Sequence, residues 1–130
     1  MNIDSFIELC NKGSLEKVKT EVKKNSNLNL TSFKKAFCNT CINGHLEIAK
    51  WLLEIKPDIN VSIDDEQLFY NTCINGHLKV AKWLLKIKPD INISINDEYT
   101  FSNTCENGHL KVAKWLLEIK PDINISINDE

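Results

Sequence analysis

The sequence predicts an all-α protein, a solenoid of helix-turn-helix repeats joined by β-hairpin-like fingers. The first observation is a strict period of 32 residues, at which rare residue types recur. The members of this series are Gly44, Gly76 and Gly108, His45, His77 and His109, Trp51, Trp83 and Trp115, and Pro57, Pro89 and Pro121. The second observation is that each unit has apolar residues spaced three and four apart in short segments, as in amphipathic helices. Because neither short helix can bury its apolar side alone, neighbouring units must stack.

The repeats are close copies of one another. Residues 71–98 and 103–130 are identical at 26 of 28 positions, and residues 39–66 match residues 71–98 at 23 of 28. The first copy is degenerate, although Cys10 still lies 31 residues before its counterpart Cys41. We expect a single domain over residues 1–130, with an N-terminal cap in the first copy and no obvious polar cap in the fourth. Its repeats lie approximately at residues 1–32, 33–64, 65–96 and 97–130.

The first helix of each repeat is expected to begin at an acidic or hydroxyl residue. In the first copy, Ser5 and Glu8 have the spacing of a capping box. The starts in the later copies are Ser32, Asp65 and Asp97. The helix ends at an Asn-Gly pair, because glycine readily adopts the left-handed conformation that closes a helix.

The second helix and the connection after it follow from the next residues. The helix runs from His45 to about Lys56 in the second copy, and Pro57 stops it because proline cannot continue a helix. Residues 58–66 alternate apolar and polar side chains. This alternation predicts a strand-like finger that ends in an exposed acidic tip.

Composition and charge exclude several classes of protein. Of the 130 residues, 42% are hydrophobic and 26% are charged, so the chain can form a packed core and is not a disordered chain. Its formal net charge of −2 offers no general attraction to nucleic acid or to an anionic membrane. The five cysteines occur without a signal peptide, which favours free thiols in a reducing, intracellular and cytoplasmic compartment.

Three segments carry a resemblance to a known family: residues 43–53 (NGHLEIAKWLL), 75–85 and 107–117, each followed by Pro-Asp-Ile-Asn. They resemble ankyrin repeats, and the resemblance covers nearly the whole chain. It implies a non-catalytic scaffold, without a cofactor, that binds a partner protein through finger tips and a concave face. The family's Thr-Pro-Leu-His opening is replaced by residues 99–102 (YTFS). With the excess of Asn, Ile and Lys, this departure resembles the ankyrin proteins of giant DNA viruses of the mimivirus type, which implies the host cytoplasm.

In this resemblance, the finger tips and the adjoining surface of the first helices contact the partner. The register implies these binding residues: Asp64, Asp65, Glu66, Gln67, Asn96, Asp97, Glu98, Tyr99, Ile42, Ile74 and Glu106. Ile42 and Ile74 precede Asn-Gly at the position that Glu106 fills in the fourth copy. If exposed, these isoleucines would extend the binding patch, and if buried, they would be packing residues.

The placement of charge favours a partner with a basic surface. Residues 57–77, 89–110 and 121–130 contain no lysine but many acidic residues. Nine lysines instead lie on the second helices or just after them: Lys50, Lys56, Lys79, Lys82, Lys86, Lys88, Lys111, Lys114 and Lys120. The acidic tips can steer a basic partner. The alternative is that the carboxylates only cap helices and the lysines only solubilise the outer helices.

A metal or redox site at Cys38, Cys41 and His45 is an alternative, because Cys-x-x-Cys followed by His occurs in zinc sites. Two Cys and one His are an incomplete set, however, and Cys38 has no counterpart in the other copies. The recurring histidines are interpreted as structural hydrogen-bonding residues and the tryptophans as packing residues. The sequence contains no catalytic constellation, so no enzymatic activity, metal or cofactor is predicted.

Self-association is the other alternative. The fourth copy is followed by no polar capping repeat, and open ends of repeat arrays expose apolar surface. The chain is then expected to pair with another copy through Trp115, Leu116 and Ile119, or to be a fragment of a longer array.

Overall fold

The computed structural model describes residues 2–25, 27–61, 65–91 and 97–120. These ranges form α-helices and one short 3-10 helix, Pro57–Val61, without a strand, which confirms the predicted all-α class. The α-helices are α1 Ile3–Asn11, α2 Leu15–Lys24, α3 Leu30–Ile42, α4 Leu46–Ile55, α5 Asp65–Ile74, α6 Leu78–Ile87, α7 Asp97–Glu106 and α8 Leu110–Ile119. None of these described helices is both long and apolar enough to cross a membrane.

The chain packs as two compact units, Met1–Ile63 and Asp64–Glu130, called unit 1 and unit 2 below. Each unit contains two repeats, and each repeat contributes a first helix and a second helix. The first helices are α1, α3, α5 and α7, and the second helices are α2, α4, α6 and α8. The division between the units falls one residue before the approximate end predicted for the second repeat, residue 64. The repeat bounds and the single domain over residues 1–130 stay predictions.

The core of unit 1 lies between its first and second helices. α1 packs against α2 and α3, and α3 packs against α4. Phe6 of α1 and Phe33 of α3 meet edge to face, with ring centroids 5.4 Å apart. The fully buried large side chains of this unit are Phe6, Val18, Phe37, Ile48, Leu52 and Ile59. Burying one such side chain contributes about 1.5–3 kcal/mol, so packing between the two repeats stabilises the unit.

Unit 2 repeats this arrangement, with α5 packed against α6 and α7, and α7 packed against α8. The Trp115 indole of the fourth repeat contacts the Phe69 ring of the third, with centroids 5.9 Å apart. This contact confirms the predicted inter-repeat packing for Trp115. The indoles of all three tryptophans are half-buried, as expected for rings that pack on one side and keep an edge near solvent.

The predicted starts of α1 and α3 are wrong by about three residues. α1 begins after Asn2, whose Oδ1 accepts a hydrogen bond of 2.8 Å from the Ser5 backbone N–H. α3 begins after Asn29, whose Oδ1 accepts from the Ser32 N–H over 3.0 Å. Asn is as favourable an N-cap as Ser, and capping by Asn gives each helix an additional turn. Ser5 and Ser32 therefore lie in the first turn and do not cap the helix.

The strand-like interpretation of the finger, predicted for residues 58–66, is wrong for residues 58–61. Pro57–Val61 forms a 3-10 helix directly after α4. The fixed φ of Pro57 suits the start of a helical turn, and the Ile59 N–H donates to the Lys56 carbonyl over 3.1 Å. Ile59 is fully buried, so the turn places this side chain in the core. Residues 62–64, 92–96 and 121–130 of the predicted fingers lie outside the described residues.

A hydrogen-bonded contact joins the two repeats of unit 1 at the loop after the first helix. His45 Nε2 lies 2.8 Å from the backbone oxygen of Asn11, the last residue of α1, and donates to it because a carbonyl can only accept. Asn43 Nδ2 donates to Asn11 Oδ1 over 3.0 Å. The His45 ring also lies beside Gly13, where an added Cβ would be 3.1 Å from Cε1. The structural hydrogen bond predicted for the recurring histidine is confirmed at His45.

The corresponding residues of the fourth repeat contact the third repeat in unit 2. Asn107 Nδ2 donates to the backbone oxygen of Ile74, the last residue of α5, over 3.2 Å. The His109 ring lies against Gly76, where an added Cβ would overlap Nδ1. In both units, the Asn and His that flank one glycine thus contact the helix end and glycine of the preceding repeat. We call this arrangement the Asn/His contact.

Replacing Thr100 with Val is expected to stabilise unit 2. Thr100 is 2% exposed, and its hydroxyl has no hydrogen-bond partner within the described ranges. Val keeps the shape of the side chain and removes the buried polar group, so the free energy of unfolding should rise by about 1 kcal/mol. Chemical denaturation followed by circular dichroism measures the change.

Thr104→Val is the matched control. The Thr104 hydroxyl donates to the Thr100 carbonyl over 2.7 Å, so this variant should lose about 1 kcal/mol of stability. An equal loss of stability in Thr100→Val would show that its hydroxyl is paired and would contradict the prediction.

Candidate functional site

The candidate site lies on the exposed side of the first helices of unit 2. Because α5 and α7 pack together, residues one period apart lie on neighbouring helices whose axes are about 8–10 Å apart. Gln67 and Tyr99 are such a pair, and both are exposed, Tyr99 to 62%. Glu66 and Glu98 precede them and are half-buried. The first-helix face of unit 2 comprises Glu66, Gln67, Ile74, Glu98, Tyr99 and Glu106.

Local structure explains why this face is acidic and ordered. α5 begins at Asp65 and α7 at Asp97, and carboxylates stabilise a helix when they lie in its first turn. Gln67 Nε2 donates to Asn71 Oδ1 over 3.3 Å, and Asn103 Nδ2 donates to the Tyr99 carbonyl over 2.9 Å. Neither helix contains a lysine or arginine. The face therefore presents carboxylates, amides and one exposed aromatic ring.

The isoleucines at the helix ends are neither exposed nor fully buried, which were the two alternatives considered from the sequence. Ile42, at the end of α3, and Ile74, at the end of α5, are both half-buried. The Ile74 backbone carbonyl takes part in the Asn/His contact between the third and fourth repeats. Glu106 is exposed at the end of α7 and adds a carboxylate to the first-helix face of unit 2.

The finger-tip part of the predicted surface stays a prediction. Asp64 and Asn96 lie outside the described residues. Asp65 and Asp97 are placed as the first residues of α5 and α7, and their side chains are not described.

The sequence-based predictions missed a change of charge between the first helices α3 and α5. Lys34 and Lys35 of α3 hold the positions that Glu66 and Gln67 hold one period later in α5. Lys35 is exposed and Lys34 is half-buried. Unit 1 thus presents cations where unit 2 presents a carboxylate and an amide. Alignment of the second copy at the period of 32 would have shown this reversal.

The second helices carry exposed lysines, as predicted. The exposed members on α4, α6 and α8 are Lys50, Lys79, Lys82, Lys86, Lys111 and Lys114. Lys56 and Lys88 follow the helices as C-cap residues, and in unit 1 the Lys56 ammonium lies 5.3 Å from the centroid of the Phe33 ring. Cations at a helix end interact favourably with the terminal carbonyls, and their charge keeps the outer helices hydrated.

The alternative site at Cys38, Cys41 and His45 is not assembled. Cys41 is fully buried in α3, and this burial raises the pKa of its thiol well above the usual value. His45 uses Nε2 in its bond to Asn11. Among the described residues, no group of three or more His, Cys, Asp and Glu side chains could hold a metal ion.

Of the three residues predicted for self-association, one is buried and two are half-buried. Leu116 is buried at 4% exposure, so it does not form an open surface. Trp115 and Ile119 are half-buried. Among the residues of this repeat that the structure describes, Leu110 is exposed at 65% and Tyr99 at 62%, and the repeat pattern did not single out Leu110.

Comparison with known families matches residues 6–97 to a family described as ankyrin repeats, in three copies. The match covers more than half of the chain and extends from α1 to the first residue of α7. No curated protein and no solved structure gives a significant match.

Alkylation is expected to divide the five thiols into two classes. Cys38 and Cys105 are partly exposed, whereas Cys10, Cys41 and Cys73 are fully buried. Burial raises the pKa of Cys10 to about 11 and that of Cys73 to about 12, which makes the reactive thiolate scarce. Iodoacetamide at mildly alkaline pH should therefore modify Cys38 and Cys105 first, as peptide mass spectrometry can measure. Equal rates at all five positions in the folded protein would contradict this assignment, and the denatured protein provides the reference.

Proposed function

The chain belongs to the ankyrin-repeat family, and we propose that it is a non-catalytic scaffold that binds a partner protein through the first-helix face of unit 2 and the adjoining finger tips. Ankyrin repeats are in general protein–protein interaction modules. The observation that carries the proposal is the exposure of Tyr99 beside the carboxylate of Glu98. An exposed tyrosine supplies a large contact area at low cost in side-chain entropy, and tyrosines are enriched among residues that dominate binding energy.

The charge of this face supports a partner with a basic surface. Three carboxylates lie on it, those of Glu66, Glu98 and Glu106, and α5 and α7 contribute no cation. Opposite charge on a partner accelerates association and suppresses partners of the same sign. Lys34 and Lys35 give unit 1 positive charge at the corresponding positions, which repels a basic partner. This difference supports unit 2 as the place where a basic segment binds. The near-neutral overall charge does not support nucleic acid or a membrane as the partner.

The proposal extends to the compartment and source of the protein. All five cysteines are free thiols, which supports a reducing, intracellular compartment such as the cytoplasm. The excess of Lys, Asn and Ile in the sequence supports a giant DNA virus as the source. The partner would then be a protein of the host cytoplasm.

Charge reversal on the first helices is expected to abolish partner binding. The test variant is Glu66→Lys with Glu98→Lys and Tyr99→Gln, where Gln is the residue that the third repeat has at this position. Loss of the carboxylates and the aromatic ring should lower affinity at least about tenfold, since each such contact contributes on the order of 1 kcal/mol. Quantitative affinity capture with the wild-type chain identifies the partner, and titration with the purified partner gives the Kd.

The matched control reverses charge on the second helices. Glu54 and Glu118 are exposed on α4 and α8, so Glu54→Lys with Glu118→Lys changes the net charge by the same amount. This control should bind the partner as the wild-type chain does. Equal loss of binding in the two variants would mean that only net charge matters, and unchanged binding in both would place the site elsewhere; either result rejects the proposed surface.

A further inference from the structure

A second charged surface of unit 2 lies on the outer side of its second helices. On α6, Lys79, Lys82 and Lys86 are all exposed and follow one another at spacings of three and four residues, so they form one stripe along the helix. α6 contains no acidic residue. On α8, Lys111 and Lys114 are exposed at the positions of the first two. We call these five lysines the basic second-helix face.

The two helices of this face are neighbours. α6 packs against α5, and the Trp115 indole of α8 contacts the Phe69 ring of α5, so both second helices border the same first helix. The rise of an α-helix separates successive lysines of one stripe by about 4.5 and 6 Å along its axis. The repeats themselves are about 8–10 Å apart, because α5 and α7 pack directly. The face is therefore a small grid of ammonium groups.

The positive charge of this grid is available to a partner. None of the five lysines forms an ion pair with another residue in the part of the chain that the structure describes. The exposed carboxylate that α8 adds to its outer side is Glu118, at the position of Lys86. Along α6 the cations face no carboxylate of their own helix, which makes this helix the most cationic part of the face.

The fold does not require lysine at these positions. In α4, the residues one period before the α6 stripe are Glu47, Lys50 and Glu54, and all three are exposed. A second helix with mixed charge is thus equally compatible with the repeat, and mixed charge also keeps a surface hydrated. Solubility of the outer helices therefore does not explain why α6 has three cations in a row.

Stacking of repeats does not cover the face either. The lysines of α6 are exposed although a further repeat of the same unit, α7 and α8, follows them. Lys111 and Lys114 are exposed although a repeat of the same unit precedes them. The face points away from the neighbouring repeats, so it is a surface for a partner of another kind.

The spacing of the stripe matches an acidic α-helix. Carboxylates three, four and seven residues apart lie on one side of a helix with the same rises of about 4.5 and 6 Å. A helix laid along α6 can therefore bring three carboxylates opposite Lys79, Lys82 and Lys86 at once. Lys111 and Lys114 then flank this helix from α8.

Nucleic acid and an anionic membrane fit the face less well. All 16 basic residues of the chain are lysine, whereas arginine is the preferred residue for recognising phosphates. The formal net charge of −2 opposes the approach of an extended polyanion or bilayer. A short acidic helix is affected mainly by the charges within about 8–10 Å of it, which here are the lysines of the face.

We propose that the basic second-helix face of unit 2 binds an acidic α-helix of another protein, one that carries a stripe of Asp or Glu at spacings of three and four residues. This site is separate from the first-helix face, which attracts basic partners. The chain can thus hold a basic and an acidic partner at the same time, on opposite sets of helices.

The test measures binding of a fluorescently labelled, alanine-based helical peptide whose glutamates recur at spacings of three and four along one side. A second peptide of identical composition distributes the same glutamates around the helix, and circular dichroism verifies that both are helical. Fluorescence anisotropy gives the Kd of each for the full-length chain. The wild-type chain should bind the one-sided peptide at least about tenfold more tightly than the distributed one, because only the first places all its carboxylates against the lysines.

The test variant is Lys79→Glu with Lys86→Glu, which gives α6 the residues that α4 has at these positions. Each change replaces an attraction by a repulsion, so the Kd for the one-sided peptide should rise at least about tenfold. Lys34→Glu with Lys35→Glu on α3 changes the net charge by the same amount and is the matched control. This control should bind the peptide as the wild-type chain does.

Several results would overturn the proposal. They are no saturable binding of the one-sided peptide up to about 1 mM, equal affinity for the two peptides, and equal loss of binding in the two variants. Tighter binding of an oligonucleotide of equal charge or of anionic lipid vesicles would assign the face to phosphates. Self-association of the wild-type chain that Lys79→Glu with Lys86→Glu abolishes, as light scattering measures, would assign the face to a second copy. None of these results depends on whether the first-helix face binds its own partner.

Discussion

Packing between consecutive repeats is the constraint on which the rest of the structure depends. The described α-helices have only 9 to 13 residues, too few to be stable alone in water. Within each unit, the two first helices therefore bury one side against each other and another against their own second helices, as Phe6 and Phe33 do in unit 1. The Asn/His contact fixes the loops at this junction by pairing a helix-end carbonyl that would otherwise lack a partner.

The same packing leaves one side of the described first helices exposed, and the residues on this side differ between copies. The core position before Cys is Thr in the last three repeats, whereas the exposed positions change from Lys35 to Gln67 to Tyr99. A change at these positions alters charge and shape without disturbing the buried side chains. This separation explains how nearly identical repeats can present a cationic surface in unit 1 and an acidic, aromatic surface in unit 2.

Much of the fold was predictable from the sequence because the 32-residue period marks structural positions directly. Gly44, Gly76 and Gly108 adopt the expected left-handed conformation, with φ between 78° and 82°, and His45 makes the expected hydrogen bond. The predictions failed where two local signals competed. Asn2 and Ser5 are both good N-caps, and only the course of the chain before the helix decides between them. Ile59 alternates with polar neighbours, but burial of its side chain in a 3-10 turn outweighs its strand preference.

The sequence by itself determined the repeat unit, the positions of its helices and the residues that contact the next repeat, because these depend on local spacing. Only the tertiary structure decided which of these residues are covered. Residues 78–85 and 110–117 have the same sequence, yet Leu78 is half-buried and Leu110 is 65% exposed. The physical reason is that the burial of a residue in a stacked repeat depends on the neighbouring repeat, and the sequence of the residue's own repeat does not encode that neighbour.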